Sequence, residues 1–252
     1  MIELKSPSEI ERMREAGRVT AEILVALRDL VAPGVTTADL DREAERLIER
    51  AGVRSAFKGY QVGPVVFPAV LCVAVNDEVV HGIPSSRRLE DGDIVSLDFG
   101  VEAGGYFGDS AVTVAVGEID DDSRRLVETT EQCLHAGIEA MRPGQRLGDV
   151  GAAVQVLAEA RGYSIVRDFV GHGIGRALHE DPQVPNFGKA GRGRALKEGM
   201  VLAVEPMVNT GGAAVTIDDD GWTARTADRS RSAHFEHTVA ITPEGPEILT
   251  SV

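Results

Sequence analysis

Cysteine and aromatic side chains are scarce in this sequence, and cationic ones are outnumbered. Its 252 residues include two cysteines, one tryptophan and an aromatic share of 4%. Cys72 and Cys133 lie far apart and form no CxxC pair, which argues against a disulfide framework or a zinc ribbon and suits a reducing, cytoplasmic setting. Against 40 Asp and Glu stand 26 Lys and Arg, a formal charge of −14. Such a surface repels phosphate, so nucleic acid and anionic membranes are poor partners. No apolar run approaches the ~20 residues of a membrane span. The opening stretch, MIELKSPSEIERMREAG, is charged throughout and lacks the apolar centre of a signal peptide. Nor does a Pro/Gly/Ser-rich linker divide the chain, so one domain over 1–252 is expected, monomeric by default.

What is present is a repeat, with halves of about 1–120 and 121–252. A helical pattern from Ile10 to Val31 stops at Pro33-Gly34, and another from Ser123 to Met141 stops at Pro143-Gly144. A second helix follows each stop. Shifted by 110 (143 minus 33), Asp39 matches Asp149, Leu47 matches Leu157 and Gly52 matches Gly162. Then come VHGIP around His81 and GHGIG around His172, followed by LEDGDIVSLDF and LKEGMVLAVEP, which read as two short strands each closed by an acid, Asp98 and Glu205. A further pair, DSAVTVAV and EHTVAIT, sets Asp109 and Glu236 at the start of alternating strands.

Period-two geometry tells which way these groups face. Asp109, Ala111 and Thr113 share one side of their strand, Ser110, Val112 and Val114 the other. Glu236, Thr238 and Ala240 repeat the pattern opposite Phe235, Val239 and Ile241, with His237 as the exception. Acids on the polar side of strands whose reverse is apolar imply a cleft above and helices below. The expected class is therefore α+β, with helices covering one side of a curved antiparallel sheet and a pseudo-two-fold axis relating the halves.

Singly, an acid at a strand end or a histidine between glycines is commonplace. Matched at corresponding points of a repeat, four carboxylates (Asp98, Asp109, Glu205, Glu236) and one imidazole (His172) suit a pair of first-row divalent cations, because four negative charges nearly balance two ions and carboxylates can bridge them. Two such ions can share a water and lower its pKa, which is hydrolytic machinery. Other apparent signals fall away. In GHGIGR, Arg176 stands where a dinucleotide loop needs its third glycine. Ser110 lacks the glycine-flanked elbow of a serine hydrolase, and HEDPQ is not HExxH. Arg192, Arg194, Arg225, Arg229 and Arg231 are scattered in polar segments and read as solvated.

Taken together, ELKSPSEIERMREAG, VNDEVVHGIP, DGDIVSLDFG, GYFGDSAVT, VGHGIGRALHEDPQVPNF, LKEGMVLAVEPMVNTGG and DGWTARTADRSRSAHFEHTVAIT resemble the short bacterial type I methionine aminopeptidases, metallopeptidases of the pita-bread fold. The resemblance spans essentially the whole length. It implies co-translational removal of the initiator methionine when the second residue is small, by attack of metal-activated hydroxide on the first peptide bond. It also implies that Asp98 and Asp109 bind one metal, that His172 and Glu205 bind the other, and that Asp109 and Glu236 bridge. Glu205 would in addition move the proton, His179 would bond the scissile carbonyl, and His81 would contact the substrate amide. The ions would be two of cobalt, manganese, iron or zinc. Partners would be N-terminal Met-peptides and nascent chains, with a transient ribosome contact as a further expectation. A monovalent cation is expected at Asn76 and Ser232.

The pocket for the thioether side chain should be apolar, and Tyr60, Phe67, Cys72, Leu178 and Trp222 are its candidates. Two departures from the family pattern touch it: Leu178 stands where an aromatic is usual, and GYQVGPVVFPAVLC is longer than the common loop and lacks its histidine. Relatives that cleave before proline share the ligands but carry an extra N-terminal domain, for which the motif starting near residue 1 leaves no room. A metal-free binding protein on the same fold should have lost ligands, and none is missing here.

Overall fold

The computed structural model describes residues 2–252; Met1, the first residue of the expected domain, lies outside them. Helices α1 (Pro7–Arg28) and α2 (Thr37–Ala51) come first. Short strands β1 (Arg54–Ser55), β2 (Gln61–Val62), β3 (Val65–Val66), β4 (Cys72–Val75) and β5 (Glu78–Val80) lead into a long hairpin, β6 (Ile94–Ala103) and β7 (Tyr106–Ala115). Helices α3 (Asp121–Glu139) and α4 (Leu147–Ala160) follow. The remainder is strands β8 (Ser164–Ile165), β9 (Gly171–Gly173), β10 (Glu180–Val184), β11 (Val201–Val204), β12 (Met207–Asn209), β13 (Val215–Ile217), β14 (Ala224–Thr226), β15 (Ser232–His234), β16 (Glu236–Thr242) and β17 (Gly245–Ile248).

Capping explains where the helices begin. The Ser6 N–H donates to Glu9 Oε2 at 2.9 Å, which starts α1 at Pro7 rather than at the expected Ile10. Thr36 and Asp39 cap α2 reciprocally, and Asp120 accepts the Ser123 N–H at 2.7 Å to open α3.

The main antiparallel sheet runs β1-β6-β7-β16-β11-β9-β10, with β4 added beside β6 and β17 beside β16. It is curled, and its helices lie on one face, giving the α+β architecture. Val95, Leu97, Phe99 and Val101 of β6 turn toward Val19, Ile23 and Leu27 of α1. Across the sheet, Leu202, Val204, Val239 and Ile241 pack on Leu134 and Ile138 of α3 and on Met141 just beyond its end. Each such fully buried side chain contributes about 1.5–3 kcal/mol. No described helix is long and apolar enough to cross a membrane.

Two expectations about the strands are corrected. Strand β6 does not close at Asp98; it continues through Phe99, Gly100 and Val101 to Ala103, so Asp98 is mid-strand. Likewise β7 starts at Tyr106, three residues before Asp109, because the Gly104-Gly105 turn lets the hairpin pair without a break from Ile94↔Ala115 to Ala103↔Tyr106. Glu236 does begin β16, and Glu205 follows β11 directly.

Candidate metal centre

The open face of the curled sheet holds a cavity of about 220 Å³, and the polar side chains of the alternating strands point into it. In β6, Asp98 pairs with Ala111 on one side and Cys72 on the other. Asp109 pairs with Gly100, and a Cβ added to that glycine would stand 3.0 Å from Asp109 Oδ1, so the missing side chain makes room for the carboxylate. Thr238 fixes Asp109 from the neighbouring strand: Asp109 N–H donates to its Oγ1 at 3.0 Å, and that hydroxyl donates to the Asp109 carbonyl at 2.8 Å. Glu236 pairs with Ala111, which brings its carboxylate to the same place.

His172 enters from β9, held between Gln183 and Ala203. A Cβ on the following Gly173 would lie 2.2 Å from the Asp181 carbonyl oxygen, so the strand can approach β10 this closely only with glycine there. The His172 Nδ1–H faces the Gly173 carbonyl at 2.9 Å, which leaves the Nε2 lone pair free toward the cavity. From that nitrogen Glu205 Oε1 is 3.6 Å away and Asp109 Oδ2 is 3.9 Å away. Ligand atoms of Asp109, His172 and Glu236 all lie within 4.8 Å of one another. Asp98 and Glu205 fall outside that tight trio yet line the same cavity.

Crowding these carboxylates in one basin is electrostatically unfavourable. Burial lifts the Asp98 carboxyl to about 7. Asp109, Glu205 and Glu236 are pushed well above the usual carboxylate range, first by burial and then by one another and Asp98. No Lys or Arg among the described residues lines the cavity to balance them. Asp98 Oδ1, Asp109 Oδ1 and Glu236 Oε1 are buried with no hydrogen-bond partner. Orphaned carboxylate oxygens around a free imidazole lone pair fit divalent cations, which would supply both the missing charge and the missing partners.

Beside this basin lie His179 and His81. His179 stacks obliquely against His172, ring centres 4.2 Å apart, and against Tyr60 at 5.1 Å. Burial lowers its pKa. His81 has a positive φ of 60°, a conformation a non-glycine residue holds only when its surroundings enforce it. Its ring meets Phe169 edge-on at 5.2 Å and Trp222 at 6.3 Å, and burial pulls its pKa down to about 4, with His179 a lesser cause. Both rings are therefore neutral near pH 7.

The apolar end of the cavity is lined by Tyr60, Phe67, Cys72, Leu178 and Trp222 together with Phe57 and Val62, two residues the sequence reading missed. Phe67 meets Trp222 edge-to-face at 5.2 Å. Burial, and next the Asp98 charge, hold the Cys72 thiol protonated, so it serves as wall. Phe57 could have been found from its place three residues before Tyr60; Val62 belongs to the β2–β3 hairpin, whose tip no motif describes.

Two side chains far away in sequence secure the loop that carries Leu178 and His179. Glu180 Oε1 accepts the Arg176 N–H at 2.8 Å and the Ala177 N–H at 3.3 Å. Its other oxygen receives the buried Lys5 ammonium at 2.6 Å, while Lys5 N–H donates to the Gly199 carbonyl at 2.6 Å. Glu9 adds a second tie, accepting the Tyr106 hydroxyl at 2.9 Å and Arg176 Nη2 at 3.1 Å.

Fold and site define a class, the metal-dependent hydrolases with a carboxylate-rich basin in a curled sheet. The chain belongs to metallopeptidase family M24, whose model matches residues 11–243. It is 52% identical over 252 residues to a methionine aminopeptidase of Clostridium perfringens and 49% identical over 252 residues to methionine aminopeptidase 1 of Bacillus subtilis, each alignment covering all of both chains. Among solved structures it superposes on a methionine aminopeptidase from Thermotoga maritima with a TM-score of 0.97 at 47% identity, covering 100% of both chains. A prolidase from Pyrococcus furiosus shares the pita-bread fold alone, with a TM-score of 0.78 at 24% identity over 99% of this chain and 65% of that one.

Proposed function

We propose that this protein removes the N-terminal methionine from peptides and nascent chains whose second residue is small. The observation that carries the reading is the junction of two unlike regions in one cavity: a basin of four carboxylates, Asp109 and Glu236 buried and Asp98 and Glu205 half-buried, without a cationic side chain, and an apolar wall of thioether size beside it. Full-length identity of about half to relatives named methionine aminopeptidase supports the same substrate.

Asp98, Asp109, His172, Glu205 and Glu236 would hold two divalent ions. When bound, the ions acidify water and polarise the carbonyl of the first peptide bond. Glu205, partly desolvated at the cavity edge, takes the proton of the attacking water and returns it to the departing amine. The neutral His179 donates to the carbonyl oxygen as charge builds there. His81, across the cavity against Trp222, orients the substrate amide. Tyr60, Phe67, Cys72, Leu178 and Trp222 enclose the methionine side chain, and Phe57 and Val62 extend that enclosure.

The chain acts as one catalytic domain and as a monomer, in the cytoplasm where nascent chains emerge, with a transient ribosome contact. Support for a monovalent cation is local: Ser232 N–H donates to the Asn76 carbonyl at 2.8 Å, and the buried Ser232 hydroxyl lacks a partner. Stabilisation by potassium over equal tetramethylammonium tests it.

The direct experiment uses Met-Ala-Ser, Leu-Ala-Ser and Ala-Pro-Ser with chelator-stripped protein and restored manganese or cobalt. Metal-dependent release of methionine alone is expected. Release of alanine before proline would move the activity to proline-directed relatives, and no cleavage with any metal would favour a binding role.

A further inference from the structure

Behind the metal basin lies another buried imidazole that no motif reading singled out. His234 ends β15 and is 1% exposed, yet neither of its ring nitrogens has a hydrogen-bond partner. Its backbone is clamped: the N–H donates to Thr113 Oγ1 at 2.9 Å, that hydroxyl donates to the His234 carbonyl at 2.7 Å, and Met207 pairs with it across the strand. The ring cannot swing out to water. A neutral imidazole carries one donor and one acceptor, and both are stranded unless something nearby receives them.

That something is Glu205. Its carboxylate is bracketed by two imidazoles, His172 Nε2 lying 3.6 Å from Oε1 and His234 Nε2 lying 3.9 Å from Oε2. Asn186 already holds the Glu205 backbone, its Nδ2 donating to the Glu205 carbonyl at 2.9 Å. The freedom left to Glu205 is rotation of the carboxylate. A turn bringing Oε2 about 1 Å closer to His234 would make a normal hydrogen bond.

We propose that His234 is a positioning residue: its Nε2–H donates to Glu205 Oε2 and thereby presents Oε1 to the metal ion beside His172. The role rests on the reading of Glu205 and His172 as metal ligands. It follows the general logic by which groups behind a ligating carboxylate fix its orientation and raise metal affinity about 10–100-fold. His234 also stands two residues before Glu236, the spacing that returns an extended chain to the same side, so one short stretch furnishes a ligand and the support for another.

The test is calorimetric titration of the stripped protein with manganese, with visible absorption of the cobalt-loaded form as a second readout. His234→Leu should weaken uptake at the tighter or weaker of the two steps by about 10–100-fold and alter the cobalt spectrum. His234→Gln, whose amide nitrogen can reach the place of Nε2, should restore affinity to within a few-fold. Equal affinity in wild type and a folded His234→Leu variant would overturn the proposal, as would a folded His234→Gln variant as weak as the leucine one. Should His234→Leu fail to fold, nitrogen NMR of the wild-type ring decides: protonation at Nε2 is required, and a ring protonated at Nδ1 refutes it. A wild-type protein that takes up no ion would instead sink the metal-centre reading, a different failure from a loaded wild type indifferent to His234.

Discussion

The two halves of the sheet present acids to the same cavity by different means. In the first half, Asp98 and Asp109 stand on a single hairpin of two ten-residue strands in unbroken register, and that pairing aims them, with Thr238 holding the Asp109 backbone from the neighbouring strand. In the second half, His172, Glu205 and Glu236 come from β9, the end of β11 and the start of β16, which are three, four and seven residues long. Short strands cannot fix side chains by register alone. There the aiming is done by individual contacts: Gly173 carbonyl on His172, Asn186 on Glu205, Ser110 on the Glu236 carbonyl at 2.7 Å. The lesson is that one half is built to hold and the other to be adjusted, and the groups proposed to handle protons and the carbonyl, Glu205 and His179, belong to the adjustable one.

That contrast can be broken by substitution. Glu205→Gln should cost turnover about 10²–10⁴-fold even when the variant is fully metallated, measured by methionine release; near-normal turnover would remove Glu205 from proton transfer. Next in size, His179→Ala should lower turnover about 10²–10³-fold with metal content unchanged, and a parallel loss of both would make it structural instead. Smaller, and most telling for the comparison, Asn186→Ala should weaken metal uptake about three- to tenfold, whereas Ser96→Ala in the long hairpin, which removes only the 2.7 Å contact with Thr113 Oγ1, should leave it within about twofold. Equal effects at the two positions would dissolve the distinction between the halves.

The smallest effect concerns stability and pH. Asp98 is lifted to about 7 and the other three acids are pushed well above the usual carboxylate range, so the folded, metal-free protein holds protons that the unfolded chain has released. Stability contributed by these groups is therefore lost as pH rises through those values. Below about 6.5, buried His81 and His172, lowered to about 4 and about 3, act in the opposite direction, so the clean window lies above it. The melting temperature of chelated protein should fall as pH rises from about 6.5 through about 7, and manganese should flatten the slope. A rising profile would mean the four acids are not crowded together.

Much of this was legible in the chain itself. Period-two alternation assigned the inward faces of β7 and β16, and the paired motifs brought Asp98, Asp109, His172, Glu205 and Glu236 to one cavity. Strand length was misjudged at Asp98 because the repeat matched it to Glu205, where the strand does end, whereas glycine at 100 clears space for Asp109 within a continuing strand. His234 and Asn186 were overlooked for another reason: their meaning lies in what they touch across the fold, Glu205, and no local spacing encodes that contact. The tie between Lys5 and Glu180 is the extreme case, joining residues 175 apart.

That tie has a consequence for the order in which the protein is made. Lys5 is synthesised 175 residues before Glu180 and earlier still than Gly199, the two groups that bury it. Until both have emerged, the loop bearing His179 lacks its fastening, however well the first hairpin has formed. A growing chain thus carries two of its acids early and the histidine proposed to bind the carbonyl unsecured until late, so assembly of the site waits until Gly199 has been made.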